Sequence, residues 1–165
     1  MPPGPSLYFS RNREGIDIIY QTDPEFSVYP QIRHGACYFL SILRALSDKF
    51  ARPFTHEAVL AFYASELANG KTDVDNEMFI GDPQALIDDF IGAGKVHFVG
   101  KADASYQAAP AEIAWGCWHR EGTDFNHFTY GINPKGVNFY DPWSAEGSAS
   151  VAQGQLIGQR IALIL

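Results

Sequence analysis

The apolar residues of this chain change their spacing once, near the middle of its 165 residues, and this change limits the folds open to it. The first half repeats apolar side chains every three or four residues, as helices do: Phe39, Ile42, Leu43, Leu46 and Phe50. The second half alternates apolar and polar residues and is rich in β-branched and aromatic side chains, which favours strands. Helices followed by strands predict an α+β fold, with N-terminal helices packed on an antiparallel β-sheet.

Local start and stop signals place these elements along the chain. Three helices are expected, over 37–50, from Thr55 to about Gly70, and from Asp82 to Gly92. Strands are expected at 16–20, 95–99, 112–119, 126–133, 137–140 and 160–165, and those of the second half should form a meander. The segment 25–35 contains Pro30 and is expected to be an extended loop.

The length of the chain supports one globular domain over 1–165, because a chain of this size buries roughly two thirds of its unfolded surface in one core. Its Pro-rich start, residues 1–15, is expected to be a loose N-terminal arm.

The net charge is −7 and Lys and Arg form no runs. Because phosphate binding needs clustered basic side chains, the sequence argues against a nucleic-acid-binding surface.

Two cysteines, Cys37 and Cys117, do not make a disulfide framework, although the sequence leaves a single bridge between them open. Free thiols fit a reducing compartment.

The N-terminus lacks the basic start and apolar run of a secretion signal, and no segment approaches the roughly 20 apolar residues that a membrane span needs. We therefore expect a cytoplasmic protein that does not cross a membrane, with export by another route and the oligomeric state left open.

Cys37 stands where the first predicted helix begins, which makes it a candidate nucleophile. The unpaired N–H groups and the positive end of the dipole at a helix start favour an anion, and hence the reactive thiolate. No Ser, Thr, Asp or Asn immediately precedes the helix, so Gly35 is left as a weak cap. An N–H group that stays open beside a nucleophile is half of an oxyanion hole.

A base and a carboxylate for Cys37 are predicted on a hairpin in the second half. Strand alternation puts His127 on a small-sided face that a helix can approach closely. The turn signal at 133–136 sets a register in which Asp141 lies diagonal to His127, with Cβ atoms roughly 7 Å apart. Pro142 keeps Asp141 extended and Trp143 is expected to shield the pair. Together these residues predict a Cys-His-Asp triad.

The order and spacing of these residues resemble the papain-like cysteine peptidases, most of all the compact bacteriocin-processing type. The resemblance covers 31–50 and 126–143. It implies that Gln31, six residues before Cys37, donates its side-chain amide to the oxyanion hole, with His127 as base and Asp141 as orienting group. It also implies a peptidase, isopeptidase or amidase that acts on a peptide or protein substrate without a cofactor or metal.

Other interpretations of the same residues stay open at the level of sequence. The same triad supports thioester-forming transferases and deamidases, and a binding module can retain the fold without the chemistry. Cys117 and His119 share a strand face, which we attribute to core packing. A zinc site would combine His34 and Cys37 with that pair, a combination of unfamiliar spacing. The acidic segment 73–77 is expected to be a solvated edge or part of a substrate rim.

Overall fold

The computed structural model describes residues 15–70 and 80–165. The predicted N-terminal arm, apart from Gly15, and the acidic segment 73–77 lie outside these ranges. In chain order the described elements are a short 3-10 helix (Pro24–Val28), α1 (Pro30–Gly35), α2 (Cys37–Phe50), α3 (His56–Asn69), α4 (Pro83–Ile91), β1 (Val96–Ala102), β2 (Glu112–His119), β3 (His127–Tyr130), α5 (Ala149–Ala152) and β4 (Gln155–Ile164). The fold is therefore α+β, with helices and a four-stranded antiparallel sheet.

The three helices predicted from local signals are confirmed, and their caps explain why. The Thr55 hydroxyl accepts from the Ala58 N–H at 3.1 Å at the start of α3, and Gly70 ends that helix in the left-handed conformation. The carboxylate of Asp82 accepts from the Ala85 N–H at 3.0 Å at the start of α4. Each cap supplies an acceptor to a backbone donor that the helix itself leaves unpaired.

The predicted meander is wrong, because the strand order is β1-β4-β2-β3. The last strand lies between β1 and β2 and pairs antiparallel with both. It also begins earlier than predicted, at Gln155, in a stretch whose glycines and exposed side chains hide the strand pattern. The C-terminal half of β4 buries Ile161 and Ala162, which suits a central position in the sheet.

Two other expectations for the first half of the chain are also wrong. Residues 16–20 form no strand and make only one bridge, from Ile16 to Phe54. The segment 25–35 is helical instead of extended, with Pro24 and Pro30 at the first positions of its two short helices. Proline favours this position because its fixed φ suits the helix and its missing N–H has no partner there.

Helix α2 is buried on every side in the middle of the core. Ser41 and Arg44 do not belong to the predicted apolar face of this helix, yet they are 0% and 1% exposed. The sheet covers that side of the helix: the Ser41 hydroxyl donates to the Phe128 carbonyl at 3.2 Å, and the Trp115 indole N–H donates to the Ser41 carbonyl at 2.9 Å. This packing fixes the start of α2 against β3.

The hairpin after β3 keeps the predicted register but not the predicted length. Asn133–Gly136 form the expected turn, in which the Gly136 N–H donates to the Asn133 carbonyl at 2.8 Å. Tyr130 pairs with Tyr140, which is the predicted alignment, but residues 137–139 form no strand. Gly131 has a φ of +80° and its N–H donates to the Ala114 carbonyl of β2, which ends β3 early.

Candidate active site

Cys37 is the first residue of α2 and lies at an opening in the protein surface. Ala36, not Gly35, takes the capping position, because Gly35 ends α1, and no side chain caps α2. Cys37 is a half-buried free thiol. The start of a 14-residue helix therefore directs its dipole toward this sulfur, as the sequence predicts.

His127 and Asp141 form the predicted buried pair. The Nε2 atom of the His127 ring lies 2.7 Å from the Asp141 carboxylate, and the two residues are 5% and 1% exposed. Because Nε2 is engaged by the carboxylate, Nδ1 is the ring nitrogen left for Cys37. Cys37 and His127 line the same cleft, and the thiol is close enough to the ring to raise its pKa. The structure therefore brings Cys37, His127 and Asp141 together.

The Asp141 carboxylate is held by two backbone donors as well as by His127. The Trp143 N–H donates to Oδ1 at 3.0 Å, and the Ser148 N–H donates to Oδ2 at 2.7 Å. Gly147 has a φ of +82°, and a Cβ atom there would lie 3.3 Å from the carboxylate. The loop after Asp141 thus wraps around its side chain and fixes it. Ser148 was not predicted from the sequence. Its hydroxyl also caps α5 by accepting from the Val151 N–H.

Burial and hydrogen bonding shift the two titrating groups of the pair in opposite directions. Burial alone lowers the pKa of His127, but hydrogen bonds and charge from Asp141 and Cys37 outweigh it and raise the pKa to about 10. Burial alone raises the pKa of Asp141, but the His127 ring and the two backbone donors hold it below its ordinary value. An imidazolium beside a thiol favours the thiolate, which is the nucleophile of cysteine chemistry.

Gln31 does not lie at this site. It is exposed on α1 and does not line the opening around Cys37, since 25–35 coils into helices and turns that side chain outward. Gln21 lines it instead and is 3% exposed. The side-chain amide of Gln21 donates to the Arg33 carbonyl at 2.9 Å, and its backbone N–H donates to the Pro142 carbonyl at 2.7 Å.

Gln21 is thereby fixed between the segment that leads into α2 and the loop that follows Asp141. One hydrogen of its side-chain NH2 group is not used by the bond to Arg33, which leaves a donor for a ligand. No local signal in the sequence distinguishes Gln21, which precedes an ordinary Thr-Asp-Pro turn. Its position depends on contacts with residues more than 100 positions away.

A cleft of about 1140 Å³ surrounds the thiol and the imidazole. Its described lining comprises Gln21, Arg33, His34, Gly35, Cys37, Tyr38, Ile80, Pro83, Phe98, Gly100, Lys101, Phe125, Asn126, His127, Phe128, Trp143 and Arg160. Trp143 is 38% exposed at this cleft and contacts Asp141 through its backbone N–H. The volume is sufficient for several residues of an extended peptide, at the upper end of the size of ligand pockets.

The alternative sites considered from sequence do not assemble in the described chain. Cys117 is buried, and burial raises the pKa of its thiol. The Nδ1 atom of His119 lies 3.1 Å from the side-chain oxygen of Asn126. Both cysteines are free thiols. Within residues 15–70 and 80–165, no three His, Cys, Asp or Glu side chains are grouped to hold a metal ion.

Comparison of the chain with family models, curated proteins and solved structures gave no match. Among the described helices, none has the length and apolar character to cross a membrane.

Proposed function

We propose that this chain is a cysteine hydrolase that cleaves amide bonds in a peptide or protein substrate. The observation that carries the proposal is the series of neighbouring side chains Cys37, His127 and Asp141, in which His127 and Asp141 are hydrogen-bonded and Cys37 opens to a large cleft. A nucleophile, a base and a group that orients the base are the three parts that acyl transfer through a thioester needs. If His127 and Asp141 only stabilised the fold, they would not need the Cys37 thiol beside them at the cleft.

A papain-like architecture is part of this proposal. A helix that begins at the nucleophile packs on an antiparallel sheet that carries the base, and the carboxylate follows in the next segment. This arrangement and its chain order agree with the resemblance found in the sequence. Strand β4, inserted between β1 and β2, contributes Arg160 to the lining of the cleft.

The first half of the proposed reaction forms a thioester. The Cys37 thiolate attacks the substrate carbonyl carbon, and the carbonyl electron pair moves to oxygen. The backbone N–H of Cys37 and the side-chain amide of Gln21, which both line the cleft, would stabilise this oxyanion, and Gln21 would take the role expected for Gln31. The His127 imidazolium then donates its Nδ1 proton to the leaving amine as the C–N bond breaks.

The second half releases the acid and restores the enzyme. Neutral His127 takes a proton from water, whose oxygen attacks the thioester carbon. The oxyanion collapses, the C–S bond breaks, and Cys37 leaves as a thiolate beside the imidazolium. Asp141 stays ionised throughout and keeps the ring in one orientation through the bond at Nε2.

The experiment that tests this proposal compares wild type with Cys37→Ala on a mixed peptide library, with cleavage products identified by mass spectrometry. We expect cleavage by wild type and none by the variant. Iodoacetamide should also label Cys37 faster in wild type than in His127→Asn, because the imidazolium favours the thiolate. Equal labelling rates together with equal cleavage would contradict the proposal, and products formed with an added amine would separate acyl transfer and deamidation from hydrolysis.

A further inference from the structure

The cleft carries a charge opposite to that of the whole protein. The chain has a net charge of −7, yet the described lining of the cleft includes Arg33, Lys101 and Arg160 and no Asp or Glu. In a chain with 19 acidic and 12 basic residues, the described wall of the cleft is therefore more positive than the protein as a whole. The two sheet residues of this set, Lys101 and Arg160, form what we call the cationic floor.

The two residues of the cationic floor lie directly opposite each other on neighbouring strands. Lys101 of β1 pairs with Arg160 of β4, so both side chains project from the same face of the sheet. Like charges in this position destabilise a sheet unless an anion lies between them. Asp103 lines a smaller adjoining pocket with both residues, yet in the described part of the chain it forms no ion pair with either.

The cationic floor is continuous with the residues that flank the reacting pair. The Arg160 guanidinium lies 5.3 Å from the ring centre of Phe128, which directly follows His127. Only one of its nitrogens, NH1, makes a hydrogen bond, to the Gln159 carbonyl at 3.2 Å, within the described residues. Lys101 and Arg160 line the main cleft together with Cys37 and also line the smaller adjoining pocket together with Cys117.

We propose that the substrate carries a carboxylate side chain, from Asp or Glu, within a few residues of the bond that is cleaved, and that Lys101 and Arg160 bind it. This inference rests on the proposed hydrolase function and specifies its substrate class. Arginine offers a planar pair of donors that fits a carboxylate, and lysine adds a mobile charge. Phe98 and Tyr38 supply apolar walls for the methylene groups of such a side chain.

The test uses two alkylating probes that differ in charge and needs no known substrate. Iodoacetate and iodoacetamide react by the same step: the Cys37 thiolate forms a C–S bond as the C–I bond breaks and iodide leaves. Only iodoacetate carries a carboxylate. The ratio of the two rates at Cys37, measured by mass spectrometry of the digested protein, therefore reports how well the cleft attracts an anion.

Lys101→Gln and the double variant with Arg160→Gln should lower this ratio, and Lys135→Gln is the matched control. Lys135 is exposed in the turn at 133–136, outside the lining of the cleft, and its replacement changes the net charge by the same amount as Lys101→Gln does. We expect the double variant to lower the ratio by about fivefold at low salt and less at high salt. The iodoacetamide rate shows whether the site stays intact.

The outcomes separate failure of this inference from failure of the proposed function. Slow labelling of Cys37 by both probes in wild type would contradict the hydrolase itself. Fast labelling with a ratio that the double variant leaves unchanged would overturn the cationic floor alone. In the peptide library, wild type should prefer sites with Asp or Glu nearby, on the acyl or the amine side, and Lys101→Glu should reverse this preference. Equal cleavage of acidic and neutral sites would overturn the inference.

Discussion

Tyr38 and Phe128, the residues that directly follow Cys37 and His127, stack with ring centroids 4.3 Å apart and an interplanar angle of 26°. The contact joins the first turn of α2 to β3 immediately beside the reacting atoms. It therefore fixes the separation of two segments that are 90 positions apart in the chain. We infer that this aromatic pair helps to keep the thiol next to the imidazole.

Phe128→Ala should loosen the site. Loss of the stacked ring should lower the free energy of unfolding by about 2 kcal/mol and slow iodoacetamide labelling of Cys37 by about tenfold, since the sulfur and the ring are no longer held together. Urea unfolding and labelling rates measure the two effects. Phe125→Ala is the control: it removes the same side chain from the rim of the cleft, where Phe125 is 67% exposed, and should change the stability little.

Tyr38→Phe separates the ring from its hydroxyl. The Tyr38 hydroxyl is buried and makes no hydrogen bond in the described chain, and burial raises its pKa far above the ordinary value. Its removal should therefore leave the stability unchanged or slightly higher while the stack persists. A marked loss of stability in this variant would show that the hydroxyl, and not the ring, holds α2 to β3.

Asp141→Asn should uncouple the base from its orienting group. The variant keeps the shape of the side chain but loses the negative charge to which His127 and two backbone N–H groups are hydrogen-bonded. The pKa of His127 should fall from about 10, and the free energy of unfolding should decrease by about 3 kcal/mol. NMR titration of the ring and urea unfolding measure these changes. Asp124→Asn, in an exposed loop, is the control and should alter neither quantity.

Local chemistry made much of the helical half of the fold predictable. Thr55, Asp82 and Gly70 each stop or start a helix through contacts within four residues, so the sequence alone locates them. The contact between His127 and Asp141 was predictable for a similar reason, because a short turn determines which residues of 126–141 face one another. The observed pair of Tyr130 with Tyr140 belongs to that predicted register.

What depends on distant contacts was not predictable. Nothing near Gln155 indicates that β4 enters between two earlier strands, since that order is decided by the packing of the whole sheet. Gln31 has the expected spacing from Cys37, but α1 turns its side chain to solvent. Gln21 reaches the site only because its backbone bonds to Pro142.

The stability of the protein should depend on pH through His127. The folded state holds this proton with a pKa of about 10, against 6.5 for a free histidine. Its contribution to stability is therefore complete below pH 6.5, declines as the pH rises and is lost above pH 10. Asp141 acts in the opposite direction: its pKa is lowered, so its contribution is present above its ordinary 3.8 and disappears in acid. Urea unfolding at pH 6 and pH 9 tests this.

His127→Gln provides the comparison for that pH series. The difference in unfolding free energy between wild type and this variant should shrink as the pH rises from 6 to 9, because the unfolded wild-type chain releases the His127 proton near pH 6.5 whereas the folded protein keeps it. His119→Gln, on the neighbouring strand, is the control, and its unfolding free energy should change between pH 6 and pH 9 as that of wild type does. A difference that stays constant across this range would show that His127 is already neutral in the folded protein.

Gln21→Ala should impair catalysis, whereas Gln31→Ala should not. The loss of one oxyanion donor raises the barrier by about 3 kcal/mol, which lowers kcat by a hundredfold or more and leaves KM little changed. Gln31 is exposed and outside the cleft, so its variant serves as the matched control. Because Gln21 also bonds to the Arg33 carbonyl, urea unfolding of both variants separates lost stability from lost catalysis. A large fall in kcat for Gln31→Ala with none for Gln21→Ala would restore the assignment drawn from sequence spacing.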